Sequence, residues 1–462
     1  MKKHHLYTKF LRTAIFSFIL MAALLSNITA QEVSSESTVD WINNNFSSTL
    51  SLDMNKAGLV FPTGKTTAIN RINSQLPILI KDKILALNVD SFYQLEDLVL
   101  NGTYSFAEIN ELIDKGDFTP GIFNRSGSLL NIDHNMNLMG ISSSMIRHGK
   151  PYTPRTPIEQ TASRAYSGII IDARGTLPVQ GEFVKEQAVP CFFPKIWDET
   201  MELLYERNMT DVSVAIEKGI VSYDYSDDES RYVNRIGQDP LRIKARKIYG
   251  MNRTDPVISR NDALKILSIP ENIELLKQGK IVILLDKEQL TYTAQPRQKD
   301  EDYYVLYRDL NQYMYENKVK DVSVVPTRDG TKISIQNLKF TADSAQLLPS
   351  EEKRLDSIAY MLEDVAQSGE FSITVEGHTA SVGKPEGELN LSIERAQAIV
   401  QAMQKRGINT TNFTFKGYGG TMPVGDNSTT EGRALNRRVE IIVVPKATYI
   451  QCDWGKAGSY TR

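Results

Sequence analysis

Cysteine, histidine, tryptophan and basic excess are all scarce in this sequence, and each shortage removes a class of function. Two cysteines in 462 residues rule out a disulfide scaffold and a cysteine-rich metal site. Cys191 and Cys452 allow one bridge or two separate buried thiols, and sequence does not choose between them. Of the five histidines, only His134, His148 and His378 lie beyond the first thirty residues. They show no metal-ligand spacing, and no Cys–His, Ser–His or metal constellation of a hydrolase can be assembled from them. Paired carboxylates remain available, because 56 residues are Asp or Glu. Basic excess is missing too: the formal net charge is −3, and loss of Lys2, Lys3, Lys9 and Arg12 would take it to −7. That balance opposes general nucleic-acid binding.

Long apolar runs are also lacking after Leu25. The run from Ala14 to Leu25 follows a basic leader and precedes the small residue Ala30. This layout predicts a cleaved secretory signal over 1–30, with a retained membrane anchor as the alternative. No cysteine follows the cleavage point, so lipid attachment there is not expected. The remaining chain is long enough for about two to four domains.

Residues 31–150 read as a mainly helical N-terminal domain. "SFYQ" (Ser91 to Gln94) and "SFAE" (Ser105 to Glu108) fit the capping box, and Gly116 suits a left-handed helix stop. Apolar residues recur at helical spacing from Ile69 to Leu87, and Pro77 predicts two short helices there. From Gly121 to Pro157 the chain is rich in Ser, Asn and Gly and reads as loop. "GLVFPTGKTT" imitates a phosphate-binding loop, but five residues separate Gly58 from Gly64 where the motif has four. No strand is expected before it, and Pro62 removes an amide that phosphate would need.

Residues 155–290 read as a central α/β domain. "GIIIDARG" and "KIVILLD" are expected strands, "DETMELLYERN" a helix, and Ser259 with Asp262 a third capping box. Asp172 and Arg174 at a strand end are expected to pair or cap a loop. Residues 291–320 read as a polar linker followed by a Tyr-rich packing helix.

The clearest pattern lies in 321–447, before a tail at 448–462. A hairpin turns at Asp329-Gly330; a helix carries Leu355, Ile358, Leu362 and Val365 on one face; "FSITVEG", the "LSIERAQAIVQAMQKRGI" helix, "NFTFKGYGG" and "RRVEIIVV" follow. This order predicts helices on one face of a small mixed sheet, within a multidomain α+β chain. The pieces "FTADSAQL", "VEGHT", Gly383, "LSxxRA", "GYGGTMPV" and "EGRALNRRVEI" closely resemble the OmpA-like peptidoglycan-binding domain, shared with Pal and MotB. An upstream OmpA-type membrane barrel is not supported, since capped helices stand in place of repeated alternating strands.

The resemblance implies a pocket for the diamino acid of a peptidoglycan stem peptide. Its Asp after "GHT" takes the ammonium, and the Arg of "LSxxRA" takes a carboxylate in a forked pair. Arg395 stands at that Arg. Ala380 stands where the Asp belongs, and Glu388 where the family usually has Asn. The "FTAD" loop, with Thr341, Ala342 and Asp343, and Leu391 are expected to shape the groove; one of Arg437 and Arg438 is expected to line it, with pairing to local acids as the alternative. His378 is expected to be a structural hydrogen-bonder. Three readings of the altered pocket are open. The site is lost and the domain is a spacer or contact module; Glu388 supplies the missing negative charge, favoured at a helix start; or the ligand differs, with Arg395 on a main-chain terminal carboxylate.

"YSGIIIDARG", "FFPKIWDET", "GQDPLRIKA" and "TDPVISRNDALKIL" resemble a domain of LPP20-type envelope lipoproteins and flagellar assembly proteins. The whole arrangement is similar to OmpA-family periplasmic proteins of spirochaetes. Taken together, these features imply a periplasmic, non-enzymatic protein held noncovalently on peptidoglycan, with the inner face of the outer membrane as one location. Other envelope proteins are expected as partners upstream, with no nucleic acid, no cofactor and no metal. The alternatives are a protein–protein envelope scaffold and a cell-wall hydrolase.

Overall fold

The computed structural model describes residues 32–296, 301–327, 330–341, 344–368 and 371–445. The expected leader, Asp329, Ala342, Asp343, Cys452 and the 448–462 tail lie outside the described residues.

The N-terminal region is built on a sheet and is not mainly helical. Strands β1 (Val33–Asp40) and β2 (Asn45–Asp53) pair antiparallel. Two short strands, β3 (Asp117–Phe118) and β4 (Ile122–Phe123), and the long β5 (Leu129–Asn137) complete it, with β5 beside β2. Phe46, Leu50, Leu52, Leu130 and Ile132 face the core. The outer face carries a polar ladder in which Ser47, Thr49 and Ser51 donate to Asn135, Asp133 and Asn131 at 2.7, 2.8 and 2.9 Å. Such strands hide among loop-forming residue types, because their outward half is Ser, Thr, Asn and Asp. The expected loop over 121–157 therefore contains β4, β5 and a helix.

Helix α1 (Lys65–Leu85) is one helix with Pro77 inside it. Ala68, Ile72, Leu76, Ile80 and Ile84 form an unbroken buried stripe, so packing on β1 and β2 outweighs the proline penalty of about 3 kcal/mol. Helix α2 (Leu95–Leu100) starts at Gln94, which forms its capping box with Asp97; Ser91 does not cap it. The Ser105–Glu108 box does start α3 (Phe106–Asp114). Gly116 is not left-handed; a Cβ there would lie 2.2 Å from Nε2 of His134, a buried residue of β5. Helix α4 (Leu138–Ser144) follows. A strand, β2, does lead toward Gly58–Gly64, and Gly64 flanks α1 directly.

In the central region β6 (Ile169–Asp172) is followed by the hairpin β7 (Thr176–Pro178) and β8 (Lys185–Gln187). The expected 198–208 helix is instead a hairpin of β9 (Ile196–Asp198) and β10 (Leu203–Tyr205). The Asp198 carboxylate accepts from the amides of Thr200 and Glu202, and Met201 takes a positive φ of 59°, which closes the turn. Helix α5 (Val212–Lys218), β11 (Ser222–Asp224), α6 (Val233–Ile236), β12 (Leu241–Lys244), β13 (Lys247–Tyr249), β14 (Asp255–Ile258), α7 (Arg260–Leu267), α8 (Pro270–Lys277) and β15 (Ile281–Leu284) follow. A parallel sheet runs β11-β15-β6-β12, and a second sheet runs β10-β9-β14-β13. After α9 (Lys287–Leu290), β16 (Thr291–Thr293) joins β1, so the expected linker begins as an edge strand. One buried apolar cluster spans both regions, with Trp41 against Phe192 at 5.0 Å and Tyr223 at 6.0 Å. Cys191, next to Phe192 in the chain, is buried, and burial holds its thiol well above the usual range.

Helix α10 (Glu301–Asn317) precedes β17 (Val322–Pro326), β18 (Thr331–Gln336), α11 (Glu352–Ser368), β19 (Phe371–Gly377), α12 (Pro385–Lys405), β20 (Phe413–Gly417), α13 (Thr430–Asn436) and β21 (Arg438–Pro445). The sheet order is β17-β18-β21-β19-β20, with β19 and β20 parallel. Ile333, Ile335, Ile373, Val375, Ile441 and Val443 meet Leu355, Ile358, Leu362, Ile399 and Met403 of α11 and α12. The expected multidomain α+β architecture, with helices on one face of a C-terminal mixed sheet, is the one observed. The opposite face is polar yet buried, because the upstream regions lie on it. Lys332 Nζ sits 5.7 Å from the Phe92 ring, and Tyr249 donates to the Pro423 carbonyl at 2.8 Å. Met422 packs on the cluster of Trp197, Met201, Tyr249 and Val257.

Helix α12 lies close to the sheet because β19 and β20 end in glycine opposite Ser392. A Cβ on Gly377 would come 2.0 Å from the Ser392 carbonyl oxygen, whereas one on Gly387 would meet nothing. Gly377→Ala is therefore expected to lower the melting temperature by several degrees, and Gly387→Ala to leave it unchanged or raise it slightly. Thermal unfolding of the two variants checks this.

Candidate functional site

The site lies where α12 and the ends of β18, β19 and β21 meet the 337–348 loop. The loop is closed on itself by Thr341 N donating to Gln346 O at 2.8 Å and Leu348 N to Lys339 O at 3.1 Å. The cleft, about 260 Å³, is lined by Asn337, Leu338, Lys339, Phe340, Leu348, His378, Arg395, Arg437, Arg438 and Val439. Four of these side chains are cationic, and none among the described residues is a carboxylate.

Arg395 is half-buried on α12, with its guanidinium 4.7 Å from the Phe340 ring centroid and Nε 3.4 Å from the Ser344 carbonyl oxygen. This aromatic platform holds a planar cation at the cleft wall. Arg437, the C-cap of α13, is exposed at the rim. Thr341 is exposed and Leu391 half-buried, and neither lines the cleft. Ala342 and Asp343 fall outside the described residues.

Ala380 is buried, and the structure gives Glu388 a place away from the lining. Glu388 is 7% exposed, and its Oε1 accepts from the amides of Val382 at 2.7 Å and Lys384 at 3.1 Å. It thus fastens the 381–384 loop to the first turn of α12. The helix start attracts the acid as expected, but loop amides have become its partners instead of a ligand ammonium.

Behind the cleft is a charge cluster that sequence reading missed. The Glu440 carboxylate, buried on β21, accepts from Arg438 Nε at 2.7 Å and faces Lys332 Nζ at 3.0 Å. Burial alone would raise its pKa; Arg438 and Lys332 outweigh that and hold it well below the usual carboxylate range. Arg438 also donates to the Met422 carbonyl at 3.1 Å. Glu376 on β19 is pushed up to about 7, first by burial and then by Glu440, against Lys332 and Lys416. The signal was present in "RRVEI": two opposite charges at i and i+2 share one face of a strand that is otherwise apolar.

His378 differs from its expected role. Its backbone amide donates to the Arg438 carbonyl at 3.0 Å, but neither ring nitrogen has a hydrogen-bond partner among the described residues. The ring stacks on Tyr418 at 5.4 Å, and burial, then Arg438, holds it neutral. Its distances to Glu440, 3.6 Å, and Glu376, 4.0 Å, are therefore not ion pairs. Glu376, His378 and Glu440 are the described residues able to offer three ligand atoms to a metal. Arg438 and Lys332 beside them oppose a divalent cation by charge repulsion. His134 and His148 are apart, on the carbonyls of Ile113 and Thr210. In the central region Asp172 and Arg174 pair at 2.8 Å, as expected.

With this geometry in view, known proteins give a consistent picture. Residues 32–144 match the N-terminal domain, and residues 168–287 the second domain, of Treponema pallidum Tp0624. Residues 339–437 match the OmpA family. The "Probable lipoprotein YiaD" of Escherichia coli is 31% identical over 30% of this chain and 64% of its own length. The "Peptidoglycan-binding protein ArfA" of Mycobacterium tuberculosis is 32% identical over 23% of this chain and 32% of its own. The chain thus spans less than two thirds of these relatives. An outer membrane protein structure from Borrelia burgdorferi B31 is 31% identical over 27% of this chain and 96% of that one, with a TM-score of 0.22. No described helix is long and apolar enough to cross a membrane.

The charge cluster generates two predictions. Glu440→Gln leaves two buried cations uncompensated and is expected to cost about 3–5 kcal/mol in urea unfolding. Glu376 favours the proton in the folded state, so its contribution is full below its ordinary 4.5 and is lost as pH rises through about 7. Glu376→Gln is expected to flatten the fall in melting temperature across that window.

Proposed function

Taking residues 339–437 as an OmpA-family domain, we propose that this chain is a periplasmic envelope protein held noncovalently on peptidoglycan, without catalytic activity of its own. The cationic cleft carries the reading: Arg395, steadied on Phe340, is the charged anchor for a stem-peptide carboxylate, and Arg437 adds a second cation at the rim. A relative named as peptidoglycan-binding supports the wall as the ligand's source. Thr341 and Leu391 stand outside the lining, and Ala380 marks where an ammonium partner is missing. The upstream regions would present surfaces to other envelope proteins.

A second reading, an envelope scaffold that does not touch the wall, is favoured by one observation: Glu388 is committed to loop amides next to Ala380. Retention on purified sacculi separates the two. Wild-type protein is expected to sediment with sacculi, Arg395→Ala to lose about tenfold or more of that affinity, and Glu388→Gln to act through lowered stability. Normal sedimentation of Arg395→Ala would remove the cleft as anchor, and no sedimentation of the wild type would leave the scaffold. Cleared bands in a sacculus zymogram would identify a hydrolase.

A further inference from the structure

We propose that the tip of the N-terminal sheet, where the 54–64 and 124–128 turns meet, docks on a lipid bilayer with anionic headgroups. This goes beyond the wall-binding reading and does not depend on it. At this end of the region β2 and β4 finish, and β1, β5 and α1 start. The two turns are in contact. Met54 N donates to the Ser128 carbonyl at 2.8 Å, the Phe61 and Phe123 rings are 5.0 Å apart, and a Cβ on Gly127 would meet Phe61 at 2.9 Å. What the tip presents outward is apolar: Val60 is 71% exposed, Ile122 67% and Phe61 47%. Packed together at one end of a sheet, such side chains mark a contact surface.

Charge selects the occupant. Lys56, Lys65 and Arg125 are exposed on the same turns, and none of the three is in an ion pair among the described residues. Across 53–65 and 121–128 the one acid is Asp53, whose Oδ1 accepts from the Asn55 and Lys56 amides at 2.9 and 3.2 Å. Glu32 beside it is paired with Arg71, and residues 1–31 contain no Asp or Glu. An apolar tip ringed by cations suits the boundary of an anionic bilayer. The apolar side chains enter the acyl layer while the cations stay at the level of the phosphates. The chain's own apolar run, Ala14 to Leu25, also joins the fold here, six residues before Glu32. Asp53 N donates to the Glu32 carbonyl at 2.9 Å and ties that entry to the tip. While the run is attached, a bilayer holding it lies within about 25 Å of Glu32. "GLVFPTGKTT" supplies Val60, Phe61 and Lys65, so its task is to meet headgroup phosphates at a surface instead of enclosing a nucleotide.

Flotation of the full mature chain with vesicles tests this, using equal parts phosphatidylglycerol and phosphatidylcholine, or phosphatidylcholine alone. The chain is expected to float with the anionic vesicles, about tenfold more weakly with the neutral ones, and less as salt rises. Lys56→Glu with Arg125→Glu is expected to weaken anionic binding about 25-fold or more, at about fivefold per cation. Lys185→Glu with Lys353→Glu makes the same change of net charge at exposed sites elsewhere and is expected to cost less than about threefold. Equal melting temperatures of the two double variants show that the fold is kept. Val60→Trp should shift its emission to the blue on anionic vesicles and be quenched by brominated acyl chains. Phe183→Trp, on the exposed tip of the β7–β8 hairpin, should do neither. The proposal is overturned if the anionic vesicles float no protein, if both vesicle types bind equally, if the two double variants respond alike, or if the probe at 183 responds and the one at 60 does not. Capture of a protein through Val60 and Arg125 without vesicle binding would likewise replace the bilayer with a protein contact.

Discussion

A single buried carboxylate sets the arrangement of the C-terminal half. Glu440 lies within the sheet at 5% exposure, where a lone charge would be very unfavourable. It is tolerated because Arg438, two residues away on the same strand face, and Lys332, from the neighbouring strand, bring positive charge within 3.0 Å. Those cations are in turn shared outward. Arg438 holds the Met422 carbonyl, and Lys332 rests over Phe92. Buried ion pairs are weak sources of stability but strong constraints on geometry, since any shift leaves charge uncompensated. Here the constrained geometry includes the seating of the upstream regions on the sheet.

That seating shapes the cleft. With the polar sheet face covered, His378, Arg438 and Val439 are buried, and all three line the cleft. The floor is thus fixed by the charge cluster, while the walls come from the 337–348 loop and α12. Arg395 completes the wall from a helix pressed close to the sheet by the Gly377 and Gly417 contacts with Ser392. A small side chain in "LSxxRA" is therefore as necessary to the position of the guanidinium as the arginine itself.

How legible this was differs along the chain. The C-terminal half could be read because apolar residues recur with clear periods: Leu355, Ile358 and Leu362 at helical spacing, Ile373 and Val375 in alternation. The N-terminal sheet was hidden because its outer face is Ser, Thr, Asn and Asp, residue types that equally suggest loops. Pro77 misled because local propensity was outweighed by a buried stripe on both sides of it. Asp198 and Met201 turned an apparently helical segment into a hairpin through side-chain-to-backbone bonds that no periodicity reveals. At the site, Arg395 was found by motif. Phe340 heads the "FTAD" motif and Arg438 stands in the "RR" pair, whereas Lys339 and Leu348 were not found, because no motif marks them.

Glu388 shows why position in a motif does not fix a residue's task. Its location at the start of α12 was readable, and a negative charge is favourable there. What decides its chemistry is the segment before it: Gly383, with φ of 84°, bends the chain so that the Val382 and Lys384 amides point back at the helix. Those amides have no strand partner and would be orphaned without an acceptor. A carboxylate that meets this demand is held by two short donors and shielded from the cleft. Turning Oε1 away to meet an ammonium would strand both amides, so the loop and an amine-binding role compete for that oxygen.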